Sequence, residues 1–494
     1  MSYLLAAALL CGAGMRFWLK LDSGLWEDEV IAVTHAVQPL PYFFVNIVRN
    51  DIHPPLYFLQ LHLWSLVSQT DAWFAANSVA WGLAAIASLM TVLRRSSGTM
   101  LGLAAAAFLA VLPSGLWMSQ EIRPYAWLSV LYIWLYALAL DCFGRPAHSR
   151  RLHGALLLLC LVVIYSHAVG FLAVMFNGLF ALCHLMRRRA QRRDVLAWAA
   201  VYGTAALGSL PQLATNLLHD ANLGSATTLM DALSWCPAVI FGNEVEGASW
   251  WLGIFAYLGI AGVGMAVART RLVAGCFLIA PLLVACLLAT GLKPIFKPNF
   301  FATLMAPFFA IVLAETTAAL RPALRMPIVS GLLGGLFAMA VAGWVGKHRS
   351  ADFLPAAVDL RANLQPGDTI YVPQNVMFWG LARYLAGPQW GSTLEVANPP
   401  NAQWSKVYTR LGPKVIGLLH LQPTTQVLKL PNQVNMMLGD ESQVLAEAHS
   451  RVWLVVYPRA DAPPGYPPDR LGGLEKRRGM EYRSLVVSLY EGGR

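Results

Sequence analysis

The chain has 494 residues, of which 57% are hydrophobic and 13% are charged, and its mean hydropathy is +0.53. A soluble protein of this length carries a far more charged surface, so the composition excludes a soluble enzyme and predicts a polytopic membrane protein. The formal net charge of +10 indicates membrane topology, because the Lys and Arg residues sit in short loops and not on one long face. Nucleic acid is not predicted as a partner.

Apolar runs long enough to cross a bilayer define the first two thirds of the chain. They predict spans at 3–21, 73–93, 100–118, 125–141, 153–168, 169–186, 195–211, 249–268, 272–290, 300–319 and 326–345. The continuous stretch 154–186 is divided at Ser166-His167, where a tight turn fits. The first run lacks a basic leader and a convincing cleavage site, so we interpret it as a transmembrane helix and not as a removed signal peptide.

Arginine clusters fall on alternate loops, after the second, fourth, sixth, eighth and tenth runs. The positive-inside rule places these loops in the cytoplasm of a bacterial inner membrane and the acidic loops on the periplasmic side. Arg16 and Lys20, near the outer end of the first run, do not follow the rule, but the five arginine-containing loops outweigh them. The short run 54–68 begins with two prolines. We expect it to lie at the outer interface or to re-enter the membrane, although a second crossing hidden around 30–50 would also satisfy the topology.

The character of the chain changes after residue 346, where prolines, polar runs and short β-rich stretches begin. The turn signal Pro366-Gly367-Asp368 precedes a predicted strand at 369–372, and a second strand is predicted at 452–457. The predicted architecture is an all-α membrane domain of about 11–13 transmembrane helices at 1–346, followed by an extracytoplasmic α/β domain at 347–494. The outer loops of the membrane domain are predicted at 22–72, 118–125, 212–248 and 291–299.

The outer loops hold most of the polar side chains that could carry chemistry. Asp28 and Glu29 follow the first span directly, and adjacent carboxylates repel each other unless something nearby stabilises them. The other candidates are His53, Glu121, Arg123, Tyr125, Lys293 and Lys297. Plainer readings exist for several of them. His53 could cap a helix, Glu121 and Arg123 could pair locally, and Lys293 could extend to the lipid headgroups.

Three motifs follow one another along the chain: Trp26-x-Asp28-Glu29, His53-Pro54-Pro55-Leu56-Tyr57-Phe58 and Ser119-Gln120-Glu121-x-Arg123-Pro124-Tyr125. In this order they resemble the GT-C class of integral-membrane glycosyltransferases. The resemblance covers roughly residues 1–320, and the nearest branch is the bacterial relatives of protein O-mannosyltransferases, which include the aminoarabinose and galacturonic acid transferases of lipid A. A fourth stretch, Lys297-Pro298-Asn299-Phe300, departs from the family, which often has Arg-Tyr at the last two positions.

The resemblance implies transfer of a sugar from a polyprenyl-phosphate donor to an acceptor on the periplasmic face. Such a reaction needs a base for the acceptor hydroxyl and positive charge for the departing phosphate. Asp28 is the expected base of an inverting attack, and Glu29 would orient the acceptor or hold Asp28. The residues expected at the donor phosphate are His53, Arg123, Lys293 and Lys297. Glu121 would orient Arg123, and Tyr125 is one of several rings that could stack on a sugar, although an interfacial aromatic belt explains most of them.

Other classes of protein stay open at this point. A divalent metal at Asp28 and Glu29 is possible in principle but is not predicted, because no further carboxylates are spaced to complete a site. A transporter or flippase of a lipid-linked sugar is the main alternative, but transporters place ionisable residues within their helices, where this chain has almost no acidic residues. A non-catalytic scaffold is the third reading. The sugar, the acceptor (a glycolipid, a glycan or a protein) and the role of 347–494 do not follow from the sequence.

Overall fold

The chain divides into two compact units. The first comprises Met1–Leu21, Ile52–Tyr57 and Ala75–Gly346, and the second comprises Asp22–Asp51, Phe58–Phe74 and Lys347–Arg494. The computed structural model describes residues 1–18, 24–37, 40, 53–144, 150–218, 228–241, 248–289, 298–345, 353–387, 394–396, 426–439, 441–448, 451–456, 467–482 and 485–492. Within those residues the first unit is helical, whereas the second combines helices with a β-sheet.

Helices make up nearly all of the described chain as far as residue 345. In chain order they are α1 Ser2–Trp18, α2 Glu27–Ala36, α3 Pro55–Ser65, α4 Asp71–Ser97, α5 Thr99–Val111, α6 Pro113–Gln120, α7 Tyr125–Gly144, α8 Arg150–Ile164, α9 Gly170–Arg187, α10 Arg192–Leu218, α11 Leu229–Leu233, α12 Trp235–Phe241, α13 Ala248–Ala266, α14 Arg271–Ala274, α15 Ala280–Ala289, α16 Pro298–Ala318 and α17 Pro322–Val345. A π-helical turn, Gly275–Ile279, joins α14 to α15. Every predicted apolar run coincides with one of these helices or with a consecutive set of them.

Four helical stretches of the described chain are long and apolar enough to cross a membrane unaided: Asp71–Ser97, Tyr125–Cys142, Gly170–Arg187 and Pro322–Ala342. The pair α5 and α6 would make a fifth, but the two helices are bent by 64°. Helix α3 has 11 residues, so it rises only about 16 Å, roughly half of the hydrocarbon core of a bilayer. The predicted turn at Ser166-His167 is confirmed, since α8 ends at Ile164 and α9 begins at Gly170.

The run predicted at 100–118 consists of two helices, α5 and α6, and Pro113 explains the break between them. Proline has no N–H and cannot donate to the carbonyl of Leu109, so the helix ends and restarts at a new angle. The buried guanidinium of Arg16 takes over this role. Its Nη2 donates to the Leu109 carbonyl at 3.3 Å, its Nη1 to the Ala110 carbonyl at 2.7 Å, and its Nε to Ser119 Oγ on α6 at 2.9 Å. Arg16 is therefore an internal cap and not a loop charge, which explains why it ran against the topology rule.

The second unit is built on an eight-stranded mixed sheet. Its strands are β1 Thr369–Tyr371, β2 Leu394–Val396, β3 Gln426–Lys429, β4 Asn435–Leu438, β5 Arg451–Val456, β6 Arg470–Leu471, β7 Leu474–Glu481 and β8 Val486–Gly492, in the spatial order β2-β3-β4-β1-β5-β8-β7-β6. Strand β1 pairs in parallel with β4 and β5, and the other pairs are antiparallel. Both predicted strands are confirmed as β1 and β5. Three further helices are α18 Phe353–Asn363, α19 Asn375–Ala386 and α20 Glu441–Glu447.

The turn before β1 is fixed by its sequence. Gly367 has a φ of +84°, a conformation that favours glycine. Asp368 is buried, and its carboxylate accepts hydrogen bonds from Arg451 Nε at 2.9 Å and from Trp453 Nε1 at 2.8 Å. Both donors lie on β5, so this carboxylate joins the first turn of the sheet to its central strand. The predicted α/β architecture is confirmed.

Candidate active site

The predicted acidic pair lies in the first turn of α2, within the second unit. Glu29 is fully buried, and its carboxylate accepts a hydrogen bond of 3.3 Å from the backbone N–H of Trp26. Trp26 is the residue preceding the helix and has an extended backbone. A carboxylate at the third helical position that reaches back to this N–H is one half of a capping box. Glu29 therefore stabilises the start of the helix that carries Asp28.

This arrangement answers the question of what stabilises two adjacent carboxylates. The N-terminus of a helix carries a partial positive charge, which favours acidic side chains in its first turn. Asp28 is only half-buried, whereas Glu29 is enclosed. Of the pair, Asp28 is the more accessible carboxylate.

In the first unit, a short and tightly held loop carries Glu121 and Arg123 between α6 and α7. Ser78 Oγ donates to the Glu121 carbonyl at 2.6 Å, and the N–H of Leu128 donates to the Pro124 carbonyl at 2.8 Å. The side chains of Glu121 and Arg123 are buried, with only 3% and 5% of their surface exposed. A buried guanidinium is costly unless it meets an opposite charge or hydrogen-bond acceptors, so the position of Arg123 is set by its surroundings and not by solvent.

Two aromatic rings lie beside the ring of His167. The centroid of the His53 ring is 6.2 Å from that of His167, and the centroid of the Tyr125 ring is 6.4 Å from it. Backbone contacts fix the arrangement. The N–H of Leu56, in the first turn of α3, donates to the Tyr165 carbonyl at 2.9 Å. The Tyr125 ring is stacked on Trp117 at 4.9 Å. The start of α3, the start of α7 and the turn between α8 and α9 thus meet at His167.

The protonation of His167 follows from its surroundings. The N–H of Val169 donates to His167 Nδ1 at 3.1 Å, so Nδ1 carries no proton and the neutral ring must carry its proton on Nε2. Burial lowers the pKa of His167 well below its ordinary value, and the nearby charges of His53 and Arg123 lower this pKa further. His167 is therefore a neutral Nε2–H donor beside two cationic or ionisable groups.

The structure thus brings two of the predicted residues, His53 and Tyr125, to the ring of His167. Arg123 is near enough for its charge to act on the same ring, and Glu121 lies on the loop of Arg123. Asp28 and Glu29 share the first turn of α2. Lys293 and Lys297 lie outside the described residues, as does most of the polar content of the 212–248 loop. His167 was missed by the sequence interpretation, which used it only to place a turn. A polar Ser-His pair inside an otherwise unbroken apolar run was the signal that could have found it.

In the part of the chain that the structure describes, no three His, Cys, Asp or Glu side chains are grouped so that they could hold a metal ion.

A scan of protein-family models and a search of curated proteins found no match to this chain. Solved structures do match it. ArnT from Cupriavidus metallidurans in the apo state is 13% identical, over 99% of this chain and 97% of that chain, with a TM-score of 0.58. The same protein bound to undecaprenyl phosphate gives the same identity and coverage with a TM-score of 0.59.

A more distant likeness extends to archaeal oligosaccharyltransferase AglB from Archaeoglobus fulgidus, in complex with an inhibitory peptide and a dolichol-phosphate. It is 12% identical, over 92% of this chain and 69% of that chain, with a TM-score of 0.50. The chain therefore shares the fold of ArnT along nearly its whole length, and the predicted GT-C fold is confirmed.

Proposed function

We propose that this protein is a glycosyltransferase that takes a sugar from a polyprenyl-phosphate donor and transfers it to an acceptor at the periplasmic face of a bacterial inner membrane. The observation that carries the proposal is the buried pair Arg123 and His167, with the half-buried His53 beside His167, in a fold shared with a protein that has been solved bound to undecaprenyl phosphate. Positive charge and N–H donors in a largely buried site suit the anionic phosphodiester of the donor, and the polyprenyl phosphate monoester that departs, better than a neutral ligand.

Arg123 is the proposed principal contact of the donor phosphate, because its guanidinium offers two parallel N–H donors to two oxygens. His167 would donate its Nε2–H to a phosphate oxygen, and His53 would add a second imidazole. Lys293 and Lys297 are proposed as further phosphate contacts. Glu121 would hold Arg123 in orientation, and Tyr125 would line the donor site. No general acid is required, because a phosphate is already a good leaving group.

Asp28 is the proposed base. Its carboxylate takes the proton of the acceptor hydroxyl while the hydroxyl oxygen attacks the anomeric carbon. The bond between that carbon and the phosphate oxygen breaks on the opposite face, and polyprenyl phosphate departs with the electron pair. The product has the inverted anomeric configuration. Glu29 contributes by fixing the start of the helix that carries Asp28.

The test compares envelope glycolipids and glycans from a deletion strain by mass spectrometry. Wild-type protein should restore the glycosylated species that the deletion removes, and Asp28→Asn should not. Purified Asp28→Asn should still bind undecaprenyl phosphate, because the base does not contact the donor phosphate. The matched control is Asp194→Asn, which alters another first-turn aspartate, in α10, and should restore the product fully.

Two outcomes would count against the proposal. Product formation by Asp28→Asn would eliminate this residue as the base. Translocation of lipid-linked sugar in proteoliposomes, without transfer to any acceptor, would show that the protein is a flippase and not a glycosyltransferase.

A further inference from the structure

The backbone just ahead of α2 is tied to α19 of the C-terminal part of the same unit. The N–H of Leu25 donates to the hydroxyl of Tyr384 at 2.8 Å, and that hydroxyl donates to Asp71 Oδ2 at 2.7 Å. The Tyr384 hydroxyl thus accepts one hydrogen bond and donates another. Burial, followed by the charge of Asp71, raises the pKa of Tyr384, so the hydroxyl keeps the proton that this arrangement needs.

The partner of Tyr384 is itself held in one orientation. Asp71 Oδ1 accepts from Arg383 Nε at 3.0 Å and from Arg383 Nη2 at 2.6 Å. The same Nη2 donates to the Gln69 carbonyl at 3.1 Å, and the guanidinium lies over the Phe74 ring at 5.8 Å. When two N–H groups donate to one oxygen of a carboxylate, the other oxygen is held in a fixed direction. The Tyr384 hydroxyl donates its proton to that second oxygen, so a lone pair of the Tyr384 oxygen points to the N–H of Leu25.

Packing along α2 and α19 reinforces this contact. The His35 ring meets Trp379 of α19 edge-on at 6.3 Å and Phe58 of α3 at 5.3 Å. An ideal Cβ at Gly24 would lie 3.3 Å from Leu354 Cβ and 3.6 Å from the Tyr384 hydroxyl. The chain just before α2 is therefore closely packed against the C-terminal elements.

We propose that Tyr384 is a positioning residue for Asp28, and that setting the register of this segment is a catalytic contribution of the C-terminal domain. Leu25 precedes Asp28 by three residues, so the bond to Tyr384 fixes the backbone from which the first turn of α2 starts. Displacing a reacting group by a fraction of an ångström lowers a rate without altering the affinity for substrate. This inference rests on the proposed role of Asp28 as the base.

The decisive variant is Tyr384→Phe, which removes one oxygen and keeps the ring. Hydrogen exchange followed by mass spectrometry should show faster exchange in the peptide containing Leu25, with no change in the β5 peptide. The kcat for sugar transfer should fall by about tenfold to a hundredfold. The KM for donor and the affinity for undecaprenyl phosphate should stay the same, a split that general destabilisation would not produce.

The matched control is Tyr482→Phe. The Tyr482 hydroxyl donates to Asp359 Oδ2 at 2.5 Å, so this variant deletes the same kind of bond in the same unit. It should leave both the exchange at Leu25 and kcat unchanged. If Tyr384→Phe does not fold, Asp71→Asn serves instead, because its amide oxygen can still accept from Arg383 while its NH2 group cannot accept the Tyr384 proton.

The outcomes separate the two proposals. Unchanged exchange at Leu25 in Tyr384→Phe would overturn the positioning role whatever reaction the protein performs. Faster exchange with an unchanged kcat would overturn its catalytic consequence. An active Asp28→Asn would instead refute the assignment of the base, while leaving the exchange result to stand by itself.

Discussion

The guanidinium of Arg16 in α1 donates a 2.7 Å hydrogen bond to the backbone carbonyl of Ala110, close to the break between α5 and α6. We expect Arg16→Leu to destabilise the protein severely, because each buried carbonyl that loses its donor costs about 1–3 kcal/mol. Arg16→Lys should be intermediate, since an ammonium cannot reproduce the planar fork. Thermal unfolding in detergent measures the effect. Arg95→Leu, at an exposed position, is the control, and an equal loss of Tm in Arg16→Leu and Arg95→Leu would refute the capping role.

Close packing at the same break gives a second prediction. An ideal Cβ at Gly12 would lie only 2.4 Å from the Ala110 carbonyl oxygen, whereas a Cβ at Gly14 would meet nothing within 4 Å. Gly12→Ala should therefore push α1 away from α5 and lower Tm, although alanine is the better helix former. Gly14→Ala should leave Tm unchanged or raise it slightly. A Tm for Gly12→Ala that matches that of Gly14→Ala would mean that the two helices approach less closely.

The positions of the helices could be predicted from the sequence because long apolar runs are separated by arginine clusters, which leaves few other ways to place the helix ends. The break at Pro113 was visible as a proline, but its angle depends on Arg16, which is 97 residues away in the chain. No local pattern reports such a partner. The same limitation explains why the role of Arg16 was not predicted. The sequence indicates only a positive charge near the end of a span, whereas in the folded protein its guanidinium caps the carbonyls of α5.

The candidate site divides in the same way. Asp28, His53 and Arg123 were predicted because charged residues stand out at the ends of apolar runs. His167 was not, because its significance lies in its neighbours, and the turn that holds it brings together three distant segments. Glu29 was predicted to orient Asp28 or the acceptor, and its bond to the Trp26 N–H is a local feature that the spacing Trp26-x-x-Glu29 could have indicated.

The lowered pKa of His167 predicts how stability depends on pH. In the unfolded chain the ring takes up a proton near its ordinary pKa of 6.5, whereas the folded ring resists protonation until the pH is well below that value. Between these two values the unfolded state binds more protons, so the free energy of unfolding falls as the pH falls, by up to about 1.4 kcal/mol per pH unit. Above the ordinary pKa the effect vanishes. Relative to the wild type, His167→Asn should show a smaller loss of Tm between pH 7.5 and 5.5, and His153→Asn should not.

The two nitrogens of His167 can be tested separately, because they have different roles. His167→Asn keeps an acceptor near the position of Nδ1 for the Val169 N–H and removes the Nε2–H. His167→Gln places a donor near Nε2 and loses that acceptor. Losing one hydrogen bond to a charged group costs about 1.5–3 kcal/mol, so His167→Asn should weaken the binding of undecaprenyl phosphate at least tenfold and leave Tm nearly unchanged. His167→Gln should show the reverse, with near-normal binding and a lower Tm. Native mass spectrometry with undecaprenyl phosphate measures the first quantity and thermal unfolding the second. Full-strength binding by His167→Asn would remove His167 from the donor site and leave Arg123 and His53 to account for the phosphate.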